Sequence, residues 1–327
     1  MRLGEACLAA LVAALSGGCA LVAGYQTLSE GSAPAGDVGD AGALVDGGAA
    51  LGADGGAASD GGGWATDAAA DGAASAADAG PFTPASLGAG LVVWLEASHG
   101  VTQTAGKVSS WGDQSGHANA AVQTIAAQQP TVHPAGVAKR TTLAFDGVAS
   151  GLSIADAASL RWGLDDYTIE IVASYTNTPS TDDVAGYGAL WTKGTPAYPF
   201  PGVALFGNTI AGTPGSNLLA QVKTPDDTPR GWVNSKADGL NDGTFRVFGT
   251  RRVGQTRLEA RVDGAVTTAT VAAVDVSTGG QPVWIGSREG SLQLLHGEIA
   301  EIVAYRGALQ DADVATLEAY LRDKYMP

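Results

Sequence analysis

Two glutamates three residues apart, Glu298 and Glu301, are the nearest this chain comes to a catalytic carboxylate pair. Retaining hydrolysis of a glycosidic bond needs a nucleophile and an acid about 5–5.5 Å apart on one cleft wall. On an extended strand a spacing of three turns the two side chains to opposite faces, which predicts structural or solvent-facing roles for both. His99, His117, His133 and His296 are scattered, with no His-x-x-x-His pair to grip zinc. Neither a Gly-x-Ser-x-Gly elbow nor a Walker-type phosphate loop is present. What the residue types do offer is recognition, because exposed aromatic rings stack on sugar faces, joining apolar area to a polar edge. The segment 192–202 sets Tyr198 and Phe200 among prolines and glycines next to Trp191. Trp232, with Asp226 and Asp227, occupies another loop expected to line the same face. The loop 111–117 carries turn chemistry, since Asp113 and Ser115 can bond to their own backbone.

The elements that must position these residues begin after a long preamble. A charged start at Arg2, an apolar run over 6–15 and small residues before a cut describe a secretory signal, too short for a membrane span. The stretch Leu15-Ser16-Gly17-Gly18-Cys19 resembles a bacterial lipobox, with the leucine four rather than three residues before the cysteine. Lipidation of Cys19 is the expected outcome; ordinary cleavage near Ala20 and an uncleaved anchor are the alternatives. Ala20 after the cysteine implies outer-membrane sorting in a Gram-negative cell, hence a membrane partnership through the lipid. Cys7 lies inside the leader, so the mature chain keeps no cysteine pair for a disulfide or a cysteine zinc site.

Residues 31–80 contain 18 Ala, 14 Gly and 8 Asp, with no Lys or Arg. So little apolar surface does not offset the entropy of ordering, and the segment reads as a disordered tether. A flexible coil of that length spans roughly 35–42 Å root-mean-square. The tail also distorts the overall charge of −15: ten acids and one base precede residue 81, leaving 23 acids and 17 bases beyond it. No basic patch emerges there, which argues against nucleic acid as a partner. The expected organisation is a signal peptide over 1–19, a linker over 20–80 and one domain over 81–327.

Within the domain the apolar period is mostly two. Tyr167, Ile169, Ile171, Ala173 and Tyr175 alternate with mostly polar residues, as in a half-buried strand. Leu258, Ala260 and Val262 do the same, and Asp263-Gly264 then makes a tight turn into 265–272. Further strands are expected over 91–95, 107–111, 142–145, 202–206, 218–222, 245–253, 283–286 and 298–305. Many strands without alternating helices predict an all-β, two-sheet antiparallel sandwich. Val314, Leu317, Leu321 and Tyr325 share one face of a closing helix, expected to pack the end of the sandwich.

Several segments together resemble the concanavalin A-like lectin/glucanase superfamily, and within it the laminin-G-like domains of bacterial surface proteins. They are Leu91-Val92-Val93-Trp94-Leu95-Glu96-Ala97, Val108-Ser109-Ser110-Trp111-Gly112-Asp113-Gln114-Ser115-Gly116 and Leu143-Ala144-Phe145-Asp146-Gly147. The run 297–305 followed by the helix ending Leu321-Arg322-Asp323-Lys324-Tyr325 completes the set. Gln310 departs from it, standing where such domains often carry a capping Ser. The resemblance implies a jelly roll with a concave face for glycan or protein, and calcium at Asp113, with Asp146, as the cofactor to test. In the family's glucanases the two carboxylates lie four residues apart around a middle Asp, a pattern absent here. The expectation is a non-catalytic, surface-anchored module that binds carbohydrate or an extracellular polymer through Trp191, Tyr198, Phe200 and Trp232. The alternatives are an adhesion module for a protein partner and, third, a divergent glycoside hydrolase.

Overall fold

Alternating apolar residues make strands here, and the computed structural model describes residues 81–180, 186–195, 201–210, 216–224 and 230–327. The leader, Cys19, the tether, Tyr198, Phe200, Asp226 and Asp227 lie outside the described residues. The first strands are β1 (Leu91–Glu96), β2 (Val101–Thr104), β3 (Lys107–Trp111), β4 (Ala121–Val122), β5 (Thr131–His133) and β6 (Thr142–Asp146). Next come β7 (Leu152–Ile154), β8 (Tyr167–Tyr175), β9 (Tyr187–Gly194), β10 (Gly202–Asn208), β11 (Asn217–Lys223) and β12 (Arg230–Asn234). The chain then forms β13 (Arg246–Val253), β14 (Arg257–Val262), β15 (Ala265–Thr270), β16 (Val283–Ile285) and β17 (His296–Arg306), and closes with α1 (Asp311–Tyr325). Among the described residues no helix is long and apolar enough to cross a membrane.

All the strand pairings are antiparallel and resolve into two sheets. In the first, β17 runs between β8 and the end-to-end pair β1 and β6, and β13, β14 and β15 follow beyond β8. In the second the order is β2, β3, β4, β7, β16, β9, β10, β11, β12. The short β5 joins the two at one side, pairing with β6 and, at a single position, with β3. Between the sheets, Ile169, Ile171 and Tyr175 of β8 and Leu258 and Ala260 of β14 meet Leu205 of β10 and Ala220 and Val222 of β11. This is the expected sandwich, and the Asp263-Gly264 turn joins β14 to β15 with both residues at positive φ, 50° and 87°.

The helix is not at the end of the sandwich. It lies across the outer face of the first sheet, where Leu317, Leu321 and Tyr325 pack on Val172, Val247, Ala300 and Val303. Burying a leucine contributes about 1.5–3 kcal/mol, so these positions hold the helix down. Its presence also changes β8, which is buried along its whole length rather than on one face. Gln310 occupies the N-cap position without a side-chain cap bond, and Asp311 is instead paired with Arg251.

Charged groups lie sealed beneath the helix. Arg251 Nε donates to Glu259 Oε2 at 2.9 Å, and Arg261 Nη1 reaches the same oxygen at 3.1 Å. Arg261 Nε also donates to Glu318 Oε1 of α1 at 2.9 Å. Glu170 of β8 is fully buried, and neither of its carboxylate oxygens has a hydrogen-bond partner. Arg261 Nε stands 3.5 Å from its Oε1. Burial, then the neighbouring Glu318, pushes the Glu170 carboxyl well above the usual range, against the pull of Arg261. Room for that carboxyl comes from Gly249 of β13, where a Cβ would stand 2.3 Å from Glu170 Oε2.

Candidate functional site

With the helix covering one outer face, the outer face of the second sheet is the other broad surface; Ala189, Thr192, Ala204, Phe206 and Leu219 are buried in its middle, and it opens to solvent at Trp232. One row crosses five strands: Trp284 of β16 is opposite Thr192 of β9, Thr192 opposite Ala204, Ala204 opposite Gln221, and Gln221 opposite Trp232. Four inter-strand steps of 4.7–4.9 Å put the two tryptophans about 19 Å apart. Small and polar side chains floor the space between them. Trp232 is 45% exposed, the one exposed aromatic among the described residues. The Arg230 guanidinium lies 5.2 Å from its ring centroid, a cation–π distance that holds the indole in place. Farther along the same face, Ala189, Ala204, Phe206 and Leu219 form a small apolar cluster, with Tyr187 packed against it.

The Trp284 end of the row carries a small recess with room for about one water molecule, lined by Thr192, Ala204, Gln221, Trp284, Arg288 and Glu289. Its rim is the loop after β16, in which Gly286, Glu289, Gly290 and Gln293 all have positive φ. For Glu289 and Gln293 that conformation carries strain, which the surroundings must hold. They do so through Thr192 Oγ1 donating to the Ser287 carbonyl at 3.3 Å and Ala189 N donating to the Gln293 carbonyl at 2.8 Å. Gly290 lets the loop lie against Trp284, whose ring would be 3.1 Å from a Cβ there. Arg288 Nη1 donates to Gln293 Oε1 at 3.2 Å, and its guanidinium covers the Phe206 ring. Glu289 Oε1 is buried without a hydrogen-bond partner, with Arg288 Nε 3.8 Å away. Burial pushes the Glu289 carboxyl upward, and Arg288 pulls the other way.

The sequence-derived candidates separate on this map. Trp232 is on the face, but in strand β12 rather than in a loop. Trp191 is a correction: it is fully buried in the sandwich core, its ring stacked on Trp162 at 6.1 Å and 4°, so it contacts no ligand. The signal that would have placed it was its neighbour pattern, since Leu190 and Trp191 both point into the core across a bulge between Leu205 and Phe206. The loop that resists sequence reading is 286–293, because none of its residues belongs to a motif.

Asp113 and Asp146 are spent on their own turns. Asp113 accepts from Trp94 N, Ser115 N, Ser115 Oγ and Asn119 N at 2.7–2.9 Å. Asp146 Oδ1 accepts from the N–H groups of Val148, Ala149 and Ser150, each at 2.9 Å. Among the described residues no group of three or more His, Cys, Asp or Glu side chains could hold a metal ion.

Glu298 and Glu301 correct the alternation argument. A bulge between Ile299 and Glu301 resets the strand, so that Ile299 and Ile302 both enter the core and the two glutamates share the outer face. They still form no catalytic pair in a cleft. Glu298 is engaged by His133 Nδ1 at 3.0 Å and by Thr142 Oγ1. Glu301 is fully buried under the helix, accepting from Trp94 Nε1 at 2.7 Å, Lys324 Nζ at 2.7 Å and Tyr325 Oη at 2.8 Å.

An antiparallel sandwich is an architecture that other proteins share. The described fold is similar to the binding domain of Paraclostridial Mosquitocidal Protein 1, at 14% identity and a TM-score of 0.53, over 71% of this chain and 52% of that one. It is also similar to a botulinum neurotoxin serotype D/C binding domain (9% identity, TM-score 0.49, 71% of this chain and 52% of that one). A Trypanosoma rangeli sialidase in complex with sialic acid matches at 16% identity and a TM-score of 0.49, over 75% of this chain and 35% of that one. The chain thus spans about half the length of the first two, and at these identities the likeness is one of fold. No family model matches the chain, and no curated protein matches it.

Proposed function

We propose that this chain is a non-catalytic binding module that takes carbohydrate on the outer face of its second sheet. The carrying observation is the transverse row from Trp284 to Trp232, with an exposed indole at one end and a polar recess at the other. A sugar ring stacks on such an indole while its hydroxyls reach polar groups such as the Gln221 amide. The burial of Glu301 and the engagement of Glu298 support a role without hydrolysis. The finer reading, that the domain is laminin-G-like and is carried on a lipid-anchored tether at the outer membrane, rests on the sequence motifs, and no metal enters it. The test is binding of the full chain to immobilised polysaccharides, with and without Trp232→Ala. Saturable binding weakened at least tenfold by the substitution supports the reading. Saturable binding to a protein ligand and to no polysaccharide overturns it in favour of adhesion.

A further inference from the structure

We infer that the paired loops beside β4 and β7 dock on the surface of a zwitterionic lipid bilayer, an inference that does not depend on the carbohydrate reading above. Of the six large hydrophobic side chains exposed among the described residues, three stand here: Val122 at 39%, Ile125 at 54% and Val148 at 77%. Val122 ends β4, Ile125 follows in the loop to β5, and Val148 is in the loop between β6 and β7. Val122 is opposite Ser153 in the β4–β7 pair. The loops that extend these two strands are bonded to each other, Gln123 Nε2 donating to the Gly151 carbonyl and Gly151 N to the Gln128 carbonyl, each at 3.0 Å. The three aliphatic side chains therefore belong to one bonded edge of the sandwich rather than to separate loops.

Two features choose the occupant. The first is residue type. Residues 114–130 and 147–155 contain no Asp, Glu, Lys or Arg, and no Phe, Trp, Tyr or Met. Protein interfaces are anchored by aromatic, Met and Arg side chains, and sugars stack on aromatic rings; this edge offers neither. The second is the loop backbone. Water serves the N–H and C=O groups of an ordinary exposed loop, whereas a loop that enters lipid must satisfy them internally. Here Asp146 Oδ1 takes the N–H groups of Val148, Ala149 and Ser150. Ile125 N donates to Gln123 Oε1 at 3.0 Å, Gln128 N to the Ile125 carbonyl at 2.9 Å and Gln129 Nε2 to the Gln123 carbonyl at 2.8 Å. Gln123 and Gln129 are buried, so their amides serve the loop's own backbone. The aliphatic side chains can thus leave water, which favours them, without stranding these polar groups.

The Asp146 carboxylate, at the base of the β6–β7 turn, sets the headgroup preference. It opposes anionic lipid, as does the acidic excess of residues 81–327, and it suits the ammonium group of a zwitterionic headgroup. The placement also orients the molecule. From β7, five inter-strand steps lead through β16, β9, β10 and β11 to β12, about 24 Å at 4.7–4.9 Å per step. Docking by the β4–β7 edge therefore leaves Trp232 at the far side of the sheet, clear of the lipid.

The experiment mixes the full chain with phosphatidylcholine vesicles whose acyl chains are brominated and so quench tryptophan that enters them. Val148→Trp places a reporter on the docking edge. Val266→Trp places one on β15, the last strand of the first sheet, and controls for a chain held near the vesicle by any other segment. The added emission of Val148→Trp should fall by at least half and that of Val266→Trp should not change, in low and in high salt. Ile125→Asp in the Val148→Trp chain should remove the quenching without changing Tm. Equal quenching of both reporters, or of neither, overturns the proposal. Quenching that requires phosphatidylglycerol or disappears in salt overturns the zwitterionic assignment. Saturable binding of a protein ligand that Ile125→Asp abolishes, with no quenching by lipid, reassigns the edge to a protein partner and overturns the proposal too.

Discussion

Gly249→Ala is the substitution whose cost follows most directly from the buried charge beneath the helix. Gly249 of β13 faces Glu170 of β8, and a Cβ there would stand 2.3 Å from Oε2 and 2.5 Å from both Cδ and Oε1. Ordinary contact between such atoms is about 3.5 Å or more, so the carboxyl must retreat by roughly an ångström. It has nowhere to retreat, being fully buried, with Arg261 at 3.5 Å on one side and Glu318 of the helix nearby. Overpacking of this kind costs about 1–3 kcal/mol. For a domain of this size that is a Tm loss of roughly 2–12 °C. Unfolding of the full chain, followed by tryptophan fluorescence in urea and by heat, measures it. In a Glu170→Ala background the same substitution should cost less than half as much, because the obstructing carboxyl is gone. A loss below about 0.5 kcal/mol, or an undiminished loss in the double variant, would refute the reasoning. Glu170 also predicts a pH signature. Its folded pKa lies above its unfolded one, so the folded state holds the extra proton. Native stability therefore falls as pH rises from the ordinary glutamate range toward the folded value. Glu170→Gln lacks that loss, and its stability relative to wild type should increase with pH over that interval.

The other predictions concern the core, the helix and the acid limb. Trp191→Ala, in the fully buried core, should cost about 3–5 kcal/mol, whereas Trp232→Ala should stay within about 0.5 kcal/mol while losing ligand; paired urea melts and binding curves separate them. Glu301→Ala leaves Trp94 Nε1 and Tyr325 Oη without their acceptor and removes one partner of Lys324. That should destabilise by about 3–5 kcal/mol, measured by chemical denaturation, and a loss under about 1 kcal/mol would contradict the sealed pair. Asp156 accepts from Arg161 Nε, Lys193 Nζ and Gly280 N, and the Arg161 bond above all holds it well below its ordinary 3.8. Its stabilisation is present above that value and is lost as pH falls toward the folded one. Asp156→Asn should therefore flatten the acid limb of a stability–pH curve recorded from pH 7 downward.

What could be read from the sequence was whatever repeats with the period of one element. The alternation in β8 and β14, the Asp263-Gly264 turn and the helical spacing of Val314, Leu317, Leu321 and Tyr325 are local signals, and each appears where it was expected. The helix's docking place was not legible, because the same apolar stripe fits a sheet face as well as a sandwich end. Glu318 is the marker that was missed: it is an ordinary surface residue by type, yet it is buried because Arg261 lies opposite. The bulge in β17 hid for a similar reason, since only its partners on β8 force two successive residues to share one position. The 286–293 loop was invisible as a site because its information is in backbone angles and in one unmet acceptor.

The helix clamp also divides the molecule in evolutionary terms. The ion pairs and apolar contacts that fasten α1 draw on β1, β8, β13, β14 and β17, none of which contributes to the row between Trp284 and Trp232. Substitutions along that row can therefore accumulate without loosening the clamp. Such a division lets a lineage trade one ligand for another by drift on a single surface, while selection for stability acts on the opposite one.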